Sequence, residues 1–132
     1  MAYAKNTTVP VDRSLGAIKD TLKRYGAEGF LHAEQGGKSI LRFTYRGICL
    51  GFEMLTAESD EMDAKEERRR WRVLLLLIKA KLEVIDSGVS TFEEQFFSDI
   101  IMPGGVRIGS QAKQQITKML ETGKPVNLLP ML

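Results

Sequence analysis

Residues 71–85 read WRVLLLLIKAKLEVI, and their pattern determines the architecture expected around them. Two neighbouring apolar stripes recur at helical spacing, one through Trp71, Leu74, Leu75, Ile78, Leu82 and Ile85 and one through Val73, Leu77, Ala80 and Val84. A helix that is apolar on two neighbouring faces needs cover on most sides. We therefore predict a central helix that lies between a sheet and either the C-terminal helices or a second subunit.

The sheet is expected just before this helix. Gly36-Gly37 and Arg46-Gly47 mark tight turns, and they separate the segments Phe30–Glu34, Ser39–Tyr45 and Ile48–Met54. Short alternating segments joined by such turns indicate an antiparallel β-meander. Alternation along the strands gives one apolar face, which includes Leu41, Phe43 and Tyr45, and the central helix should cover that face.

Helices are predicted at both ends of the chain. Apolar spacing predicts a first helix that starts at Asp12 or Ser14 and stops at Gly26. Ser90 or Thr91, followed three residues later by Glu93 or Glu94, has the pattern of a capping box, which predicts a helix over Phe92–Ile101. After a possible small strand over Val106–Ile108, a last helix is expected from Ser110 to Gly123, with these residues inward: Ala112, Ile116, Met119 and Leu120.

The expected fold class is therefore α+β: an N-terminal helix, a three-stranded antiparallel meander, a long central helix and a helical C-terminal third. A chain of 132 residues with 43% hydrophobic side chains can bury a core as one domain over residues 1–132. Residues 1–11 are expected to form an arm or an edge strand, and residues 126–132 an apolar tail.

The location of the protein is predicted from what the sequence lacks. Cys49 is the single cysteine, so it cannot form an internal disulfide, and it is expected to be a small buried side chain in a reducing compartment. The N-terminus lacks the apolar core of a signal peptide, and the longest apolar run is too short to span a bilayer. We predict a cytoplasmic protein without a membrane partner.

The residues of common active sites are not arranged in known patterns. His32 and Cys49 cannot by themselves make a zinc or iron site, and His32 is expected at the strand surface. Gly36-Gly37-Lys38 lacks the rest of a phosphate-binding loop and is expected to be a hairpin turn. We expect the acids Glu93, Glu94 and Asp99 to cap helices or to lie in solvent, and not to bind a metal. We expect no enzyme, no catalytic or metal-binding residue and no cofactor.

The one remaining group of candidate functional residues is basic. The net charge of +2 is small, so a basic surface must be local. Candidates for contacts to nucleic-acid phosphates lie on the sheet and at the head of the central helix: Lys38, Arg42, Arg46, Arg68, Arg69, Arg70 and Arg72. Trp71, Phe30 or Tyr45 could stack on bases if exposed. In the alternative interpretation, Glu66 pairs with Arg70, the arginines form a solvated helix face and Trp71 belongs to the core.

Several motifs together resemble a family of small uncharacterised proteins encoded by phages, prophages and related mobile elements. The motifs are 9–14 leading into the first helix, RYGA at 24–27, WRVLLLLIKAKLE at 71–83, TFEE at 91–94, IMPGG at 101–105 and LLP at 128–130. The resemblance implies a setting in which small proteins handle DNA during replication and recombination, or bind and block a host defence protein. The order of elements also resembles the core of single-strand annealing proteins.

Two functions follow as hypotheses. The first is a non-enzymatic accessory protein that binds nucleic acid, for single-stranded DNA handling or recombination, through the basic residues. The second is a protein-interaction module that inhibits a host defence factor or serves as a subunit of a larger assembly. The apolar tail and the doubly apolar helix favour the second. A homo-oligomer is expected in either case.

Overall fold

A computed structural model describes residues 10–56 and 63–128. The elements follow in the order α1 (Val11–Arg24), β1 (Glu28–Gln35), β2 (Lys38–Tyr45), β3 (Ile48–Leu55), α2 (Ala64–Asp86), α3 (Phe92–Phe96), a 3₁₀ turn (Phe97–Asp99) and α4 (Ile108–Thr122). The predicted α+β class and order of elements are confirmed. No helix within these two ranges is long and apolar enough to cross a membrane.

Helix α1 begins earlier than predicted. Pro10 is its N-cap, and the Pro10 carbonyl accepts from the backbone N–H of Arg13 at 3.1 Å. Ser14 is not the cap because it lies inside the helix, where its backbone N–H donates to the Pro10 carbonyl at 3.3 Å and its side chain is fully buried. The predicted arm is therefore wrong at residue 11, which is helical, and residues 1–9 of that prediction lie outside the described ranges.

The sheet has the order β1-β2-β3, and both strand pairs are antiparallel. Each hairpin turns through two residues with positive φ, 60° and 76° at Gly36 and Gly37 and 49° and 80° at Arg46 and Gly47. Such turns match the twist of the flanking strands, which explains why the predicted strand positions are right to within two residues. Cys49 pairs with Thr44 on the outer face and is partly exposed, so its predicted burial is wrong.

Helix α2 starts seven residues before Trp71, at Ala64, and Asp63 caps it by accepting from the Glu66 backbone N–H at 2.8 Å. Its first apolar stripe forms the centre of the core, with Trp71, Leu75, Ile78 and Leu82 buried. These side chains belong to one cluster with Leu15, Ile18 and Leu22 of α1 and with Leu41, Phe43, Leu50 and Phe52 of the sheet. The central helix thus covers the predicted sheet face, and α1 packs beside it.

The second stripe of α2 remains accessible. Leu77 is 49% exposed, Ala80 is exposed, and Val73 and Val84 are partly exposed. The C-terminal helices therefore do not provide the cover that the sequence pattern predicts for this side of α2. A large apolar side chain in the middle of the longest helix is left at the surface.

The segment after α2 begins as predicted but leaves the helical conformation early. Thr91 and Glu94 form the capping box, with the Glu94 backbone N–H donating to Thr91 Oγ1 at 3.2 Å. The helical residues end at Asp99, so the helix predicted to reach Ile101 is too long. Ile101 instead donates its backbone N–H to the Cys49 carbonyl at 2.8 Å, because the edge of β3 offers free backbone acceptors there. The small strand predicted over 106–108 is an isolated bridge between Arg107 and Ile101.

Helix α4 stands away from the body. Arg107, not Ser110, is its N-cap. The helix stops at Gly123 as predicted, and the Gly123 backbone is left-handed. Ile108 is buried, but Ile116 is 45% and Leu120 is 82% exposed, so the predicted inward orientation is wrong for these two residues, whereas Ala112 and Met119 are partly buried. The helix packs on the 3₁₀ turn, where Gly109 lies against Ser98. Of the predicted tail, Val126 is partly exposed, Leu128 is exposed, and 129–132 lie outside the described ranges.

Candidate functional site

The predicted basic residues do not form a single surface. Lys38 begins β2 and Arg46 lies in the turn that follows it, which places them roughly 25 Å apart. Arg42 pairs with Gly51 on the outer face of the sheet, opposite to the face that α2 covers. Lys38 is at the same end of the sheet as the arginines of α2, because Met54 lies beside both.

The arginines at the head of α2 are held by a neighbouring acid. Glu66 accepts from Arg69 Nε at 3.0 Å and Nη2 at 2.6 Å, and from Arg70 Nε at 3.2 Å. The Arg69 hydrogen bonds lower the pKa of Glu66 to about 2, and Glu66 in turn raises the pKa of Arg69. Arg68 and Arg72 are partly buried. Glu66 therefore orients Arg69 and Arg70 and neutralises part of their charge.

The predicted stacking aromatics are already engaged within the fold. Trp71 is fully buried, so it belongs to the core and cannot stack on a base. Phe30 stacks on Phe43, with ring centroids 5.6 Å apart, and Tyr45 stacks on Phe92 at 4.0 Å. Base stacking on an open aromatic face, which the nucleic-acid hypothesis invoked, finds no support from these three residues.

His32 is not a surface residue of its strand. It lies on the inner face, where its Nε2 is 2.6 Å from Ser39 Oγ and its ring meets Trp71 edge-on with centroids 6.1 Å apart. Ser39 is fully buried, whereas the His32 side chain keeps 23% of its exposure. His32 pairs with Leu41, which was predicted to lie on the apolar inner face. The strand pairing could therefore have predicted that His32 lies on that face too.

A different surface combines apolar and basic groups, and we name it the Met54 groove. It runs along the seam between β3 and α2, where two adjoining depressions of about 310 and 210 Å³ share Met54, Leu74 and Leu77. A third, at the end of the sheet beside Lys38, also includes Met54 and is lined by β2 and β3 alone. The groove is defined by an apolar floor of Met54, Leu55, Val73, Leu74 and Leu77 and by the charged side chains Lys38, Arg69, Arg70, Lys81, Arg107, Glu53 and Asp99.

One end of the Met54 groove is built on a buried ion cluster. Asp99 is 3% exposed, and its Oδ1 accepts from Arg107 Nη2 at 2.5 Å while Lys81 Nζ lies 3.8 Å from its Oδ2. Lys81 also donates to the Gln95 carbonyl at 2.6 Å, and Arg107 Nε donates to the Gly51 carbonyl at 3.0 Å. The cluster thus ties α2, the 3₁₀ turn, β3 and the start of α4 together.

Sequence reasoning found part of this groove. Lys38, Arg69 and Arg70 were predicted as binding residues, whereas Lys81 and Arg107 were missed, and the interpretation of Asp99 as a solvated acid is wrong. An acid between Phe97 and Ile100, in an otherwise apolar stretch, is a signal of a buried and paired carboxylate. Arg107 pairs with it from across a turn, and no spacing rule connects the two residues.

The comparisons leave the site to be interpreted from its own chemistry. No family model matches the chain, and no curated protein or solved structure is significantly similar to it. Across residues 10–56 and 63–128, no group of three or more His, Cys, Asp or Glu residues is placed to hold a metal ion. An apolar floor with cations at both ends suits the docking of an amphipathic, acidic surface.

Proposed function

We propose that the protein is an interaction module that docks an acidic, amphipathic segment of a partner protein in the Met54 groove. The observation that carries the proposal is Leu77, which is 49% exposed on the groove floor although it lies in the middle of α2. Covering the exposed half of a leucine side chain contributes on the order of 1 kcal/mol. Val73, Leu74, Met54 and Leu55 extend the same apolar surface.

The charges of the groove select the partner. Five cations border the floor, against the acids Glu53 and Asp99, and Glu66 holds Arg69 and Arg70 in place. Rim charges accelerate encounter and exclude partners of like charge more than they add affinity. The resemblance to mobile-element proteins makes a host defence factor, or another subunit of a larger assembly, the proposed partner.

A selection from a random-peptide library displayed against the purified protein tests this proposal. We expect enriched peptides to combine Leu, Ile or Phe with Asp or Glu. The variant Leu77→Asp should lose them, because it places a carboxylate on the apolar floor. Val89→Asp is the matched control, since Val89 is 82% exposed in the loop after α2 and does not line the groove.

Enrichment of basic or purely polar peptides would contradict the proposed chemistry. Equal binding by wild type and Leu77→Asp, or loss of binding in Val89→Asp, would place the interaction on another surface. Both substitutions are at exposed positions, so circular dichroism should show that both variants fold.

Nucleic-acid binding is a second candidate, favoured by the cations that share one side of the molecule. Lys38, Arg69 and Arg70 border the same groove as Lys81 and Arg107 and could contact successive phosphates. Arg42 and Arg46 would belong to separate contacts. Binding of single-stranded oligonucleotides that weakens with salt and is lost in Arg69→Gln/Arg70→Gln, but not in Lys113→Gln/Lys118→Gln, would support it. Absence of binding at low ionic strength would rule it out.

Self-association is proposed for another surface. Ile116 and Leu120 are exposed about one helical turn apart on α4, and exposed apolar surface of this kind often marks an interface. Light scattering should give a mass above that of one chain, and Ile116→Asp/Leu120→Asp should reduce it to the monomer. A wild-type monomer at high concentration would contradict this proposal.

A further inference from the structure

We propose that the Lys81–Arg107 end of the Met54 groove is a carboxylate-binding subsite, which receives an acidic side chain next to an apolar anchor of the docked segment. This inference rests on the proposed docking function and names the chemistry of one end of the groove. The subsite is the depression of about 210 Å³ between α2, β3 and the 3₁₀ turn. Its lining brings Lys81, Arg107 and Asp99 against Phe52, Leu74 and Ile78.

The charges at this end leave a cationic excess. Lys81 and Arg107 both lie within 4 Å of the single buried carboxylate of Asp99, so one acid faces two cations. Glu53 also lines the depression, but it is exposed, and solvent screens its charge more strongly than that of a buried group. The buried part of the subsite therefore carries a net positive charge that suits an anionic group.

Hydrogen-bond donors also remain for a ligand. Within the described ranges Arg107 uses Nε for the Gly51 carbonyl and Nη2 for Asp99, which leaves donors on its guanidinium, including those of Nη1. Lys81 directs one donor to the Gln95 carbonyl, and its distance of 3.8 Å from Asp99 Oδ2 is too long for a hydrogen bond. A carboxylate accepts from both cations, since ionised acids present acceptors only.

The apolar wall defines the rest of the ligand. Phe52, Leu74 and Ile78 lie beside the cations, and Leu77 and Met54 continue into the larger depression. A short aliphatic chain that ends in a carboxylate fits both parts. A neutral amide of the same shape would fill the volume, but it brings no negative charge to the two cations, and its carbonyl oxygen accepts weaker hydrogen bonds than a carboxylate does.

The test uses hexanoate and its neutral analogue hexanamide as probes of the full-length protein. In an NMR titration we expect weak, millimolar binding of hexanoate, with the largest backbone shifts at Leu77, Ser98 and Arg107, and at least about tenfold weaker binding of hexanamide. Lys81→Met should lower hexanoate affinity several-fold because it keeps the stem and removes the charge. Lys79→Met is the control, since Lys79 is exposed on the same helix and lies outside the groove.

A further variant acts in the opposite direction. Glu53→Gln should tighten hexanoate binding, because it removes the acid at the mouth of the subsite. Equal affinities for hexanoate and hexanamide in the wild type would overturn the inference without any variant. So would a failure of hexanoate to shift these resonances. The peptide selection with Leu77→Asp tests the docking function independently of the subsite. If the docking function is right and the subsite is wrong, acidic peptides will bind the wild type and Lys81→Met equally well.

Discussion

Replacing Asp99 with Asn should be one of the most destabilising conservative changes in the chain. The substitution keeps the size of the side chain but removes the charge that faces Arg107 at 2.5 Å and Lys81 at 3.8 Å. Removing one partner of a buried ion pair typically costs 3–5 kcal/mol, since the remaining charge is uncompensated. The Arg107 and Lys81 side chains are 25% and 21% exposed and can be partly rehydrated, so we expect a loss of about 3 kcal/mol at the lower end of that range.

The loss can be measured by urea unfolding followed through Trp71 fluorescence and circular dichroism. A decrease of about 3 kcal/mol corresponds to a fall in Tm of about 10 °C for a domain of this size. Glu93→Gln is the matched control because Glu93 is an exposed acid of the neighbouring helix, and it should change stability by less than about 0.5 kcal/mol. If Asn at position 99 cost no more than this control, the ion cluster would not hold these elements together.

Further predictions concern the glycines and Glu66. Gly109→Ala should loosen α4, because the new Cβ would lie 2.8 Å from the Ser98 carbonyl oxygen. Gly16→Ala should stabilise α1 by about 0.5–1 kcal/mol, since no atom of the described residues other than the helix's own neighbouring backbone lies within 4 Å of its new Cβ. Thermal unfolding compares the two, and a stabilised Gly109→Ala would contradict the close contact. The pKa of Glu66 is lowered from 4.5 to about 2, so its ion pairs stabilise the fold above pH 4.5 and are lost as the pH falls to 2. An NMR titration of the Glu66 carboxyl with a midpoint near 4.5 would refute this pairing, and Glu66→Gln should remove that part of the acid dependence.

The fold was predictable because local and long-range patterns agree. The turns at Gly36-Gly37 and Arg46-Gly47 predicted the positions of the hairpins, and the strand alternation predicted which side chains lie on the inner face. The stripe through Trp71 predicted which side of α2 packs on the sheet. The prediction of secondary structure was wrong where the backbone forms hydrogen bonds with a segment distant in sequence. Residues after Asp99 pair with the edge of β3 instead of continuing a helix, and no helical or strand period marks that choice.

The candidate site was predictable only in part, for a related reason. A run of arginines is visible in the sequence, but the Met54 groove depends on which face of α2 is left uncovered and on a loop that brings Arg107 to Asp99. Periodicity identified the second stripe through Leu77 as needing cover. It could not show that α3 and α4 would leave Leu77 exposed, since the position of α4 depends on its contact with the 3₁₀ turn.

The way α4 is attached has a consequence for how the molecule opens. A helix of 15 residues that is rooted at one end has little tertiary packing beyond Ile108 to hold its later turns, and isolated helices of this length are marginal in water. In the monomer, backbone amides near Met119 should therefore exchange with solvent through small local openings, whereas those around Leu75 exchange through global unfolding. The described part of the chain would thus unfold as two cooperative units of unequal stability. A partner that binds α4 should first slow the hydrogen exchange of backbone amides in the last turns of that helix.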